Sequence, residues 1–290
     1  MPVNPAYGLV VLSAVLHAYW NFLIKRAGGT TVFVGLSKMA EAVVFAPVFA
    51  IVLAMHRGDP PVDHAFAALL ISVGALLTLS NYLALSAAYS RGDLSVIYPV
   101  SRGAGLLFLP LLGFLVFSER LSGMGFAAVA MILIALGLVS GSQGADGRKT
   151  SAGAIAYALL AGLAAAGYTV WDKRAIHTLP TFIYFYSYSV IVAIAYGTFL
   201  FGRFERSVIE ATWRRQWWPI TLVGILNTTA YLLVLAALRD GVSTYVIALR
   251  QLSIAFGVGL GVWMLKEALP TRKAIGVAVL IAGCAIVAFA

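Results

Sequence analysis

One segment of this chain occurs twice, and that repetition limits what the chain can become. Residues 94–121 read LSVIYPVSRGAGLLFLPLLGFLVFSERL and residues 242–269 read VSTYVIALRQLSIAFGVGLGVWMLKEAL. Shifted by 148 positions, Ser95 falls on Ser243, Arg102 on Arg250, Phe108 on Phe256, Gly113 on Gly261 and Glu119 on Glu267. Each copy holds roughly 24 mostly apolar residues, long enough as a helix to cross a bilayer. Each carries one arginine about two turns from its start. An arginine at membrane depth costs about 2.5–3.5 kcal/mol even on lenient insertion scales. Two at matched positions imply a duplicated membrane protein with a purposeful charge inside each half.

The bulk numbers agree. Of 290 residues, 61% are hydrophobic and 11% charged, and the mean hydropathy is +0.94. No soluble core absorbs that much apolar surface. The net charge of +9 does not point to nucleic acid, because the basic residues stand in ones, twos and threes between apolar spans, as in membrane loops. The one cysteine, Cys284, lies in the last apolar span, so there is neither a disulfide framework nor a CxxC metal signature. The N-terminus lacks the basic region and cleavage site of a signal peptide, so the first span is expected to remain as a helix.

Hydropathy and the Gly, Pro and charged linkers predict ten spans, at 5–24, 32–55, 65–89, 94–118, 123–141, 152–171, 181–201, 217–238, 243–265 and 273–289. The longest linker, 202–216, is expected to hold a short interfacial helix, with Trp213, Trp217 and Trp218 at headgroup level. The repeat extends outward: Lys25-Arg26-Ala27 aligns with Lys173-Arg174-Ala175, and Trp20 with Tyr168. The predicted domains are a first five-helix repeat (1–141), a linker (142–151) and a second repeat (152–290). Five is odd, so the second copy enters the membrane from the opposite face. The expected fold is an all-α integral membrane protein, ten transmembrane helices in two inverted five-helix repeats around a central cavity, as in secondary transporters.

At that level the chain resembles the drug/metabolite transporter superfamily, EamA-type, whose bacterial members are ten-helix permeases. The resembling residues are LHAYWN at 16–21 with Lys25-Arg26, RGDLSVIYPVSRG at 91–103 and SERLSG at 118–123. In the second half they are GYTVWDKRA at 167–175 and VIALRQLSIAFGVGLGVWMLKEAL at 246–269. The resemblance implies inverted five-helix repeats around a cavity and export or exchange of small metabolites across a bacterial inner (plasma) membrane, without naming a substrate.

Arg102 and Arg250 lead the candidate site. Eight residues into its helix, Arg102 lies about 12 Å from one membrane face, and inversion puts Arg250 at the same depth from the other. A planar five-donor fork suits carboxylate, phosphate or phosphonate; the alternative is that each ties helices through backbone carbonyls. Lys38 and Glu41, three apart on one helix face, are expected to pair, or to provide a titrating carboxylate for proton coupling or a contact for a substrate amine. Trp20, Asn21, Tyr82, Tyr98, Tyr168, Trp171 and Tyr245 are the remaining candidate wall residues, with His17 beside them in a polar-aromatic cluster. Pro99 next to Tyr98 is expected to break the helix beside Arg102. Asp172 is expected in an interfacial network, and Glu119 and Glu267 in turns, accepting N–H groups of the next helix.

No HExxH, GxSxG or paired aspartates at membrane depth suggests an enzyme. No cofactor and no metal are expected. The predicted function is a secondary active transporter, exporter or exchanger, of an amino-acid-like or carboxylate/phosphonate metabolite by alternating access. Alternatives are an anion-selective channel, or a multidrug/lipophilic-cation exporter using Glu41 and cavity aromatics. The expected partners are a small-molecule substrate, with protons a candidate coupling ion, and the lipid bilayer, the protein being a monomer or weak dimer. On orientation two signals conflict. Loop charges number five Lys/Arg on the face shared by the termini and twelve on the other, which puts the termini outside; the resemblance puts them inside.

Overall fold

The computed structural model describes residues 6–58, 62–140 and 150–290. The expected linker at 142–149 and its Arg148 and Lys149 lie outside these residues. All regular structure among them is helical: α1 (Ala6–Arg26), α2 (Thr31–Met55), α3 (His64–Tyr89), α4 (Leu94–Phe117), α5 (Gly123–Ser140), α6 (Ala152–Ile176), α7 (Thr181–Arg203), α8 (Arg206–Asp240), α9 (Ser243–Arg250), α10 (Leu252–Leu265) and α11 (Thr271–Val287). Taking α9 and α10 as one span, nine are long and apolar enough to cross a membrane. The tenth, α11, has 17 residues. Large apolar side chains such as Val43, Leu83, Leu115, Ile194 and Trp263 are exposed on the outside. In water that would be untenable, whereas in lipid it is the expected surface.

Short polar signals punctuate the helices. Gly28 and Gly29, at φ +87° and +62°, end α1 in the left-handed region, which costs glycine no Cβ clash. Thr30 then caps α2, its hydroxyl accepting from the Phe33 N–H at 3.2 Å, and Ser151 caps α6 in the same way from Ala154 at 3.1 Å. In α8 the chain leaves helical geometry at Gln216 (φ −134°, ψ 21°), three residues before Pro219, whose ring disfavours a straight continuation. The piece before that kink, with Trp213, is helical, where the sequence predicts a short helix within 202–216.

Helix packing repeats itself when the halves are exchanged. α3 packs on α6 as α8 packs on α1, and α4 lies against α6 as α9 and α10 lie against α1. α2 packs on α7 and α5 on α11, each pair being its own image under that exchange. Close approaches bring polar groups together: a Cβ on Gly224 of α8 would lie 2.8 Å from the Ser37 carbonyl of α2, so only glycine lets these backbones meet.

One expected break is displaced. α4 runs unbroken through Pro99, which stands in its second turn and strands only one carbonyl. The interruption falls in the other copy, between α9 and α10. There the Gln251 N–H bonds the Ala248 carbonyl at 3.1 Å, a tightened turn. The Ile247 carbonyl, deprived of that N–H, is taken by the Gln251 side-chain amide at 3.2 Å.

Candidate functional site

The central feature is a cavity of about 460 Å³ walled by α1–α4 and α6–α9. Arg102 of α4 and Arg250 of α9 both line it, and both also line a smaller adjoining pocket of about 40 Å³. The two arginines matched by the 148-residue shift thus meet in one chamber. Each is steadied by an aromatic face: the Arg102 guanidinium lies 5.7 Å from the Tyr98 ring centroid and that of Arg250 lies 5.4 Å from the Tyr231 ring. Neither is in a salt bridge among the described residues. The Arg250 Nη2 lies 3.5 Å from His17 Nδ1, while its Nε and the Trp20 indole Nε1 are buried without a partner. His17 and Trp20 meet edge to face, with ring centroids 4.7 Å apart.

The other expected wall residues divide. Trp20, Asn21, Lys38, Tyr82, Tyr98 and Tyr168 line the cavity. Glu41, Trp171 and Tyr245 do not. Trp171 donates its indole N–H to the Leu70 carbonyl at 2.8 Å, which ties α6 to α3. Tyr245 is buried at the far end, its hydroxyl accepting from the Ser122 N–H at 3.0 Å. Placing them by sequence failed because a helix has four sides and the pattern shows only depth. Two further amides line the cavity: Asn81 donates to the Ala161 carbonyl at 2.7 Å, while Asn227 donates to Glu41 at 3.0 Å.

Glu41 is 3% exposed and wholly engaged. Its Oε1 accepts from Ser189 Oγ at 2.8 Å, and its Oε2 accepts from Lys38 Nζ at 3.2 Å and Asn227 Nδ2 at 3.0 Å. Asp172 corrects an expectation. It is not interfacial but fully buried, accepting from the Tyr184 hydroxyl at 2.6 Å and from the Tyr231 hydroxyl. α6 continues to Ile176 rather than ending near 171, which carries Asp172 inward. Sequence reasoning also missed Tyr188, Ser189 and Tyr231 in the wall; the run YFYSYS in α7 was the available signal, a polar stripe in an apolar span.

The terminal glutamates differ from expectation as well. Glu119 does not accept from the helix after it. It pairs with Lys173 Nζ at 2.7 Å and accepts from the N–H and hydroxyl of Ser243 at 3.0 and 2.9 Å. Lys173 Nζ also donates to the Gly241 carbonyl at 2.6 Å. Glu267 pairs with Lys25, the repeat image of that bond. The cavity reaches toward the Lys25–Glu267 face, through Ile24, Val34, Leu85 and Tyr89. On the Lys173–Glu119 face, Leu70, Ile176, Tyr184, Leu235 and Leu238 are fully buried in one apolar cluster.

Residues 152–289 match the EamA-like transporter family. Among 29 matching chains of solved structures, one titled "Crystal structure of protein" is 16% identical, covering 98% of each chain with a TM-score of 0.73, a likeness of fold. The curated proteins provide no match.

Proposed function

We propose, from the match of residues 152–289 to the EamA-like transporter family, that this chain is an EamA-type drug/metabolite transporter, a multi-pass membrane protein that carries a small organic anion by alternating access. The observation that carries the reading is the placement of Arg102 and Arg250, matched residues of two halves, in one cavity with no carboxylate among the described residues paired to either. A guanidinium held in low dielectric attracts a carboxylate or phosphoryl-type group strongly and binds it bidentately. In this reading residues 1–141 and 152–290 are inverted five-helix units, and the site sits between them near the midplane. The reciprocal helix packing supports that division.

Alternation is supported by the two Lys–Glu pairs. They occupy equivalent positions at opposite ends, one buried and one exposed, as expected of a carrier closed at one face and open at the other. Export or exchange across a bacterial inner membrane is what the family resemblance implies. The decisive experiment is thermal-shift binding on detergent-purified protein with organic acids, phosphorylated acids, amino acids and lipophilic cations. Anions should stabilise the wild type, and Arg102→Ala and Arg250→Ala should each weaken that binding at least about tenfold, near 1.4 kcal/mol. Full binding in both variants, or stabilisation by cations alone, would refute the reading.

A further inference from the structure

The cavity wall treats positive and negative charge unequally. Three cations face it from three helices: Lys38 of α2, Arg102 of α4 and Arg250 of α9. No carboxylate does so among the described lining residues. Both acids at this depth stand behind a screen of donors. Glu41 is covered by Lys38, Ser189 and Asn227, and Asp172 by Tyr184 and Tyr231. Four of those five screening side chains, all but Tyr184, line the cavity themselves. The unpartnered N–H groups of Trp20 and Arg250 add donors that call for an acceptor.

A substrate carboxylate meets this wall well, whereas a substrate ammonium does not. It would enter beside three cations, lose its water, and find no carboxylate oxygen within reach. Resting on the reading that the cavity carries an anion, we propose that the site selects organic acids lacking an amino group, with Lys38 as the residue that enforces the selection. Its Nζ, 3.2 Å from Glu41 Oε2, occupies the place on that carboxylate that a substrate ammonium would take. The 2-hydroxy and 2-oxo acids and the dicarboxylates are therefore preferred over the corresponding amino acids.

Matched pairs test this by thermal shift and calorimetry on the full chain: L-malate against L-aspartate, 2-oxoglutarate against L-glutamate, phenylpyruvate against L-phenylalanine, and 3-phosphoglycerate against O-phosphoserine. In the wild type the amine-free member that binds should do so at least about tenfold more tightly than its partner. Equal or tighter binding of the amino acids overturns the inference while leaving the anion reading intact. Failure of every anion overturns both. Lys38→Met keeps the bulk but exposes Glu41 to the cavity, and should raise amino-acid affinity about tenfold or more. Ser189→Ala frees one Glu41 oxygen but leaves the Lys38 charge, and should produce no such gain. An equal gain in both variants, or none in Lys38→Met, removes Lys38 from the role. The wild-type pairs decide the selectivity even if neither variant folds.

Discussion

The two ends of the molecule are built from the same parts and finished differently. At one end Lys173 meets Glu119, and at the other Lys25 meets Glu267, every residue displaced by 148 from its counterpart. Ser118 and Lys266, just before the glutamates, both turn at φ +56°. The Glu119 and Glu267 N–H groups bond the Gly113 and Gly261 carbonyls at 3.2 and 3.1 Å. Beyond that the ends diverge. The Lys173 and Glu119 side chains are 10% and 7% exposed, against 62% and 30% for Lys25 and Glu267. The buried pair also reaches across to the α8–α9 turn, through the Gly241 carbonyl and Ser243. The same ion pair is therefore a bolt at one end and a surface contact at the other. What separates them is desolvation, not chemistry.

Breaking the buried pair should give the largest effect. Glu119→Gln leaves Lys173 buried with an uncompensated charge, and such losses destabilise by about 3–5 kcal/mol; chemical denaturation of the two proteins measures the difference. Next comes Ser243→Ala, which removes one bond to the charged Glu119 and should cost about 1.5–3 kcal/mol, with no equal loss in an Arg120→Ala control. The third test is a matched pair. A Cβ at Gly113 would lie 2.6 Å from Glu119 Oε2, and one at Gly261 2.7 Å from Glu267 Oε2. Gly113→Ala should cost about 1–3 kcal/mol and Gly261→Ala clearly less, since Glu267 can swing into solvent and Glu119 cannot; equal losses would erase the distinction between the ends. The smallest effect is Glu267→Gln, at most about 1 kcal/mol. That effect should fade as salt is raised, while the Glu119→Gln loss persists, because only exposed charges are screened.

Much of this architecture is legible in the sequence. The class followed from hydropathy, the span positions from Gly, Pro and charged punctuation, and the equivalence of the halves from the 148-residue shift. The site was read in part. Depth along a helix is one-dimensional and survives in the sequence, so Arg102 and Arg250 could be placed at matched depths from opposite faces. The azimuth around the helix is weakly encoded when almost every side is apolar, so Trp171 and Tyr245 were expected in a wall they do not reach. The break beside an arginine was assigned to Pro99, a residue with a visible backbone defect. It falls at Gln251, whose side chain supplies the replacement hydrogen bond.

Sequence alone determined that this is a multi-pass membrane protein with a segment that recurs 148 residues on and carries a matched arginine and a matched terminal glutamate, because burial in lipid admits only satisfied helices and penalises every stray charge. Tertiary structure decided who meets whom. Lys25 pairs with the glutamate of the other half rather than its own, Asp172 sits behind two tyrosines, and Glu41 hides behind Lys38. Those choices depend on which helices become neighbours and on how much water remains between them, and neither is written in the order of residues along one strand of chain.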